Sequence, residues 1–225
     1  MKDRKYRHEL KFCISKNDAQ VLKNNLLTLM SIDSNGLGGY FIRSLYFDTP
    51  DSQAYYEKLD GVLYRKKYRI RLYNKDDKYI RLEKKLKHNN MTSKDQTLIS
   101  KDLCLKLINN SFDCDYENNE LLKEFYYDMK IKKLEPSVIV DYQRLALTYP
   151  LSDVRVTFDY NISSGKYNYN IFDYSWPTYP VIEDDLMVLE VKYNEVLPEP
   201  IAIILGTIPS CRQAFSKFAA CRSIK

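Results

Sequence analysis

Glycine and proline are scarce, at six and eight of 225 residues. That excludes a collagen-like, linker-like or low-complexity chain. Histidine occurs twice, at 8 and 88, and the order of residues offers no Ser-His-Asp or Cys-His arrangement. Neither a G-x-G-x-x-G fingerprint nor a P-loop is present, which removes the two commonest glycine-rich phosphate cradles. Five cysteines, at 13, 104, 114, 211 and 221, form no C-x-x-C pair and are odd in number; they read as reduced thiols of a cytoplasmic protein. The longest apolar run, Ile201 to Leu205, is far shorter than the ~20 residues of a membrane span, and the opening MKDRKYRHEL is too charged for a signal peptide.

What the chain has is charge and tyrosine. Thirty-five Lys and Arg against thirty Asp and Glu leave +5, and there are twenty Tyr, a strand-favouring residue with a hydrogen-bonding hydroxyl. The length suits one domain, 1–225, with a core that needs no disulfide or metal. Strand patterns dominate: 5–14, 41–48, 62–73 and 78–87 as a hairpin about a turn at 74–77, then 92–99, 137–147, 153–160 and 186–194. Helices are expected from a Ser15 cap to about Met30, from Thr49-Pro50 to about Leu59, over 101–110 and 119–132, and after Pro200, with a last segment over 211–222. Gly36, Gly38 and Gly39 mark a turn. The reading is α+β: a closed antiparallel β-barrel of about eight strands with flanking helices, since closure hides so many strand edges.

The informative feature is where the charges fall. Strand side chains alternate between faces, so residues two apart share one face. Here one face repeatedly carries full charges: Arg7, Glu9 and Lys11; Arg69 and Arg71; Arg81, Glu83, Lys85 and Lys87; Tyr142 and Arg144; Arg155, Thr157 and Asp159; Glu190 and Lys192. A solvated outer face with salt bridges would be nearly balanced, yet residues 61–94 hold twelve Lys or Arg against three Asp or Glu. The alternative turns the charged face inward, as a cation-lined tunnel. Unpaired buried cations are costly, so such a tunnel calls for a polyanion, and phosphate chains suit Arg forks and Lys point charges. Glu9, Glu83 and Glu190 would lie among these cations, as ion-pair partners or as ligands of Mg²⁺ or Mn²⁺, which take carboxylate and phosphate oxygens together.

The strings YRHELKF (6–12), SLYFDT (44–49), YRIRLY (68–73), RLEKKLK (81–87), VDYQRLAL (140–147), RVTFD (155–159), LEVKY (189–193) and FSKF (215–218) together resemble the triphosphate tunnel metalloenzyme (CYTH-like) superfamily. More narrowly, they are similar to the VTC-type polyphosphate polymerase domain. The resemblance implies a β-barrel tunnel that binds ATP or another triphosphate, with a Mn²⁺ or Mg²⁺ ion on a glutamate. It also implies transfer of the γ-phosphate of ATP onto polyphosphate threaded through the tunnel. Carried over by motif, Lys11, Arg69, Arg71, Lys85, Arg144, Arg155 and Lys217 handle the phosphates. Tyr142, Ser216, Glu9, Lys87, Lys94 and Lys192 contact substrate, and Glu190 and Glu83 hold metal. Where the superfamily often begins E-x-E-x-K, this chain has Arg7-His8-Glu9-Leu10-Lys11; a cation in the first position fits polyphosphate handling better than a two-metal hydrolase. Tripolyphosphate or nucleoside-triphosphate hydrolysis, and a non-catalytic polyphosphate or inositol-phosphate binding module, remain as alternatives. Nucleic acid is disfavoured, because the cations alternate along strands and no basic helix appears.

Overall fold

The computed structural model describes residues 5–33, 38–111, 119–208 and 215–224. Eight antiparallel strands close on themselves: β1 (Arg7–Ser15), β3 (Tyr40–Asp48), β4 (Tyr64–Tyr73), β5 (Asp76–His88), β6 (Met91–Ile99), β7 (Glu135–Thr148), β8 (Arg155–Ser164) and β10 (Leu186–Tyr193). Around the barrel the order is β7-β3-β4-β5-β6-β1-β10-β8, and β8 pairs back onto β7. Two short strands, β2 (Ser31–Ile32) on β7 and β9 (Tyr179–Pro180) on β8, extend its rim. The expected closed α+β barrel is therefore the observed architecture.

Register follows local chemistry. Asn74 and Lys75 both take positive φ, 50° and 61°, as a two-residue turn with right-handed twist requires, and this fixes the β4–β5 pairing. Gly39, at φ +99°, brings its Cα so near the Arg144 carbonyl that a Cβ would sit 3.2 Å from that oxygen. Ser15, Ser100 and Asn119 cap helices α1 (Lys16–Leu26), α3 (Lys101–Ile108) and α4 (Glu120–Lys132), each side chain accepting from a backbone N–H three residues on. One expected start is corrected. Helix α2 runs Gln53–Leu59 rather than from Thr49-Pro50, because Asp48 gathers the N–H groups of Thr49, Ala54 and Tyr55 and delays the first turn. Helices α5 (Glu199–Leu205) and α6 (Lys217–Arg222) complete the chain; residues 211–214 of the expected last helix lie outside the described residues, as do Gly36, Cys114 and Cys211. Cys13, Cys104 and Cys221 are free thiols.

Three apolar clusters hold the barrel. On one outer side Leu45, Phe47, Tyr68, Ile70 and Leu82 pack under α3 and α4, with Phe125 edge-on to both Phe47 and Tyr68 at 5.0 and 4.9 Å. On the opposite outer side Ile14, Val156, Phe158 and Leu189 pack under α1 and α5. The third cluster lies inside. Ile42, Tyr46, Val138, Val140, Ile162 and Val188 face the lumen and receive Phe218 and Cys221 of α6. Thus α6 fills the β7–β8 side of the interior, and what remains open is the side walled by β4, β5, β1 and β10. Among the described residues no helix is long and apolar enough to cross a membrane.

Candidate active site: a cation-walled tunnel

The open part of the lumen is a cavity of about 410 Å³. Strand alternation puts Arg65, Lys67, Arg69 and Arg71 of β4 on its wall, beside Lys85 and Lys87 of β5. Lys11 and Glu9 come from β1, Glu190 and Lys192 from β10, and Tyr142 and Arg144 from β7. Helix α6 adds Ser216 and Lys217, and α2 adds Lys58. Eleven cations and two carboxylates therefore line one cavity.

The two carboxylates sit together. Lys11 reaches Glu9 at 3.1 Å and Glu190 at 3.8 Å, and its Nζ donates to the Phe215 carbonyl at 3.2 Å, tying β1 to the segment that enters α6. Lys85 donates to both oxygens of Glu9 at 2.8 and 2.7 Å. Lys192 and Arg144 meet the same oxygen of Glu190 at 3.3 and 3.4 Å. Burial and Glu190 push the Glu9 carboxyl up, but Lys85, Lys11 and Lys192 prevail and hold it down at about 2. Burial likewise opposes ionisation of Glu190, and Lys192, Lys11 and Lys217 pull it well below the carboxylate range. Two lysines lose the contest instead. Burial, then Arg65, Lys11, Lys85 and Lys58, lower Lys67 to about 7. Burial also lowers Lys192 to about 7, outweighing the help of Glu190 and Glu9, with Arg144 and Lys85 adding smaller downward pushes. The wall thus carries more positive charge than its own anions can hold.

Part of the wall is itself engaged by partners behind it. Arg144 forks onto Asp159 at 2.6 and 2.7 Å, and Lys217 reaches the same carboxylate at 2.5 Å. Arg71 donates to the Tyr142 hydroxyl at 2.9 Å and to Ser44 at 3.1 Å. Arg69 donates to Tyr46 at 2.8 Å, and burial notwithstanding, Arg69 and Arg71 lower the Tyr46 phenol.

Of the expected residues, the structure brings twelve to the cavity wall and leaves three off it. Glu83, read as a second metal ligand, is fully buried. One oxygen takes Arg69 at 2.6 Å and the other Lys94 at 3.0 Å, so it serves as an ion-pair hub. Lys94, read as a substrate contact, is spent on Glu83 and Gln96. Arg155, read as a phosphate-handling residue, pairs with Asp33 at 2.6 Å and Tyr40 at 3.0 Å, beyond the cavity lining. Ser216 lines the wall, but its hydroxyl also caps α6 through Ala219 N at 3.3 Å. Conversely Tyr46, Lys58, Arg65, Lys67, Asn90 and Thr92 line the cavity without having been singled out. Arg65 and Lys67 share the strand parity of Arg69 and Arg71, so extending the period by four residues would have found them.

A divalent metal can be tested against the donors. Glu9 and Glu190 open onto the cavity from adjacent strands, and the register sets Thr157 beside Glu190. The Thr157 hydroxyl is buried and has no hydrogen-bond partner among the described residues. These are hard oxygen donors, suited to Mg²⁺ or Mn²⁺. Among the described residues no group of three His, Cys, Asp or Glu forms a closed cage, so the set fits an ion whose remaining ligands are phosphate oxygens and water.

The VTC domain family model matches residues 6–224. The chain belongs to the VTC domain family. A search of curated proteins found no match. Among solved structures, a protein from Hippeastrum, a candidate adenylyl cyclase with a dominant triphosphatase activity, superposes with TM-score 0.55 at 17% identity, over 96% of this chain and 95% of its own. A candidate adenylate cyclase from Bacillus halodurans gives TM-score 0.54 at 16% identity, over 90% and 87%. A hypothetical protein from Pyrococcus furiosus gives 0.50 at 14%, over 93% and 96%. At these identities the likeness is one of fold.

Proposed function

We propose that this VTC domain is a polyphosphate polymerase, which moves the γ-phosphate of ATP onto the terminal phosphate of a growing polyphosphate chain held in its tunnel. The observation that carries the reading is the charge imbalance of the wall: eleven cations line it against two carboxylates, Glu83 and Asp159 behind it engage only Arg69, Arg71, Arg144 and Lys217, and burial with neighbouring cations lowers Lys67 to about 7. Family membership supplies the polymer.

The transfer asks little covalent work of a protein. A terminal phosphate oxygen attacks the γ-phosphorus, the bond to the β–γ bridging oxygen breaks, and ADP leaves. Arg69, Arg71, Lys85 and Arg144 stabilise the charge spread over the phosphate oxygens, and Tyr142 hydrogen-bonds them. Lys11 and Lys192 hold Glu9 and Glu190 in place. Glu190, with Glu9 and Thr157 nearby, would hold a Mn²⁺ or Mg²⁺ ion, which would supply further positive charge to neutralise phosphate oxygens.

Hydrolysis is the second reading, favoured by the triphosphatase activity named for the Hippeastrum protein. It needs a base for water. Glu9 and Glu190 are poor ones, because the surrounding lysines hold both carboxyls far below neutrality. An anionic acceptor needs no base.

Incubating pure protein with ATP and Mn²⁺ separates the readings. The polymerase gives long chains on a gel with ADP released in step. Free phosphate without polymer supports the hydrolase, and binding without turnover supports a non-catalytic module. Glu190→Gln is expected to lower polymer formation about 100-fold or more while the protein stays folded. Wild-type turnover in that variant would contradict the metal assignment.

A further inference from the structure

Apolar side chains stand uncovered where α2 passes into β4. Tyr56, Leu59, Val62, Leu63 and Tyr64 fall within nine residues and are each between 41% and 66% exposed. Every residue from Leu59 to Tyr64 is exposed, so the turn is raised and no element covers it among the described residues. Single apolar residues on a surface are ordinary, whereas a contiguous patch marks a contact surface.

The turn is also firmly built. Gly61 takes φ +72° just past α2, and the Val62 N–H returns to the Glu57 carbonyl at 3.1 Å, the return bond of a glycine-closed helix end. Asn89 donates its N–H to the Leu63 carbonyl at 3.0 Å, and Arg65 donates to the Glu57 carbonyl at 3.3 Å. The Tyr64 and His88 rings lie 5.3 Å apart. These contacts hold the apolar side chains out without covering them. The surroundings are basic. Lys58 stands in the last turn of α2, and Arg65 and Lys87 face each other across β4 and β5; none of the three has a carboxylate within ion-pair distance among the described residues. Over 58–67 the one acid, Asp60, is set against four cations.

We infer that the α2–β4 turn docks this domain peripherally on an anionic lipid surface. Leu59, Val62 and Leu63 enter the boundary between headgroups and acyl chains, Tyr56 and Tyr64 lie at headgroup level, and the neighbouring cations meet lipid phosphates. A protein partner would have to offer a hollow of matching outline, whereas a bilayer yields to a raised turn. Neither part suffices alone. Three small insertions give only shallow burial, and the cations act only where the lipid is anionic, so the docking needs both and is reversible. The inference goes beyond the polymerase reading and does not rest on it, since no step of the transfer uses Leu59, Val62 or Leu63.

Sedimentation of the full chain with vesicles tests this, using phosphatidylcholine alone and phosphatidylcholine mixed with an equal share of phosphatidylglycerol. Binding to the anionic vesicles is expected to exceed binding to the neutral ones about tenfold and to weaken with salt. Val62→Ser with Leu63→Ser keeps the charge and trims only exposed side chains. It should lower binding to anionic vesicles about tenfold while melting temperature and tripolyphosphate affinity hold. Ile203→Ser, on the exposed side of α5, should change nothing. A second readout places the sole tryptophan in the turn: Leu63→Trp in a Trp176→Phe background should shift its emission to the blue on anionic vesicles. No binding to anionic vesicles, binding undiminished in the serine pair, or an unshifted emission overturns the docking. So does a dimer that parts in the serine pair, which would give the turn to a second copy of the chain. Each of these results leaves the outcome of the ATP and Mn²⁺ assay untouched.

Discussion

Strands β4 and β5 carry two sets of charges, one on each face, and the two are balanced differently. On the outer face Lys66 pairs with Glu124 and Asp128, Lys84 with Glu124 and Asp95, and Lys132 with Asp128. The Tyr68 hydroxyl bonds Asp128 at 2.8 Å and Glu124 at 3.1 Å. Here each lysine has its acid, and the cluster fastens α4 to the barrel wall. On the inner face Glu83 takes Arg69 and Arg71, and Glu9 takes Lys85, but Arg65, Lys67 and Lys87 of the same strands face the cavity with no carboxylate in ion-pair distance among the described residues. Both sets are partly buried, so burial does not distinguish them. Neutralisation does. A buried cation with a dedicated acid holds elements together, and one without an acid is poised for an anion from outside.

That contrast can be broken at three places. The largest effect is expected at Asp159. Asp159→Asn leaves Lys217 without its ion-pair carboxylate and Arg144 with only the longer contact to Glu190, and should cost about 3–5 kcal/mol, with a drop of roughly 10 °C in melting temperature. Tripolyphosphate at a hundred times its Kd stabilises the wild type by about 2.7 kcal/mol, and it should stabilise this variant by more, narrowing the gap between them. Thermal melts with and without the ligand decide this; a loss that the anion does not repair would place these cations with the structural set.

Next comes pH. Lys67 and Lys192 titrate at about 7 in the fold, against ~10.4 for an unfolded lysine, so between these values the unfolded chain binds more protons. Stability of the ligand-free protein therefore rises with pH through that window, by about 1–2 kcal/mol from pH 7 to 9 after solvent screening. Tripolyphosphate should flatten the slope by keeping both lysines charged. Urea unfolding at three pH values reads it, and a flat or falling ligand-free curve would mean the lumen is not overcharged.

The smallest effects belong to the outer cluster. Lys84→Met keeps the volume and leaves Glu124 and Asp95 able to reach water, at a cost of about 1 kcal/mol, and Lys132→Ala costs about 0.3 kcal/mol. Neither should change the stabilisation that tripolyphosphate confers in a melt. If Lys84→Met reduced it as a lumen variant does, the two faces would not be separate in function.

Much of this was legible in the sequence because alternation at period two is a local property. It placed Arg69, Arg71, Lys85, Tyr142 and Glu190 on one face from the residues alone. It could not report depth along the barrel axis. Glu83 and Lys85 have the same parity, yet the first is buried behind Arg69 and the second opens to the cavity. Arg155 has the parity of Asp159 but ends at the rim, where Asp33 waits across β2. The start of α2 was misjudged because Asp48 captures backbone donors six and seven residues on, a long reach that a capping pattern does not contain. The stretch after β8 carries no periodicity, yet it buries Ile171 fully and supplies the Asp173 carbonyl to Arg43, which forks onto Asp141. Those contacts are set by tertiary packing.

The most direct test of the account is a calorimetric titration of the wild-type protein with tripolyphosphate at pH 8, repeated in two buffers of different ionisation enthalpy. An overcharged lumen predicts one ligand per chain, affinity that weakens steeply with salt, and net uptake of protons as Lys67 and Lys192 recharge. No binding, or binding with no proton taken up, would contradict it.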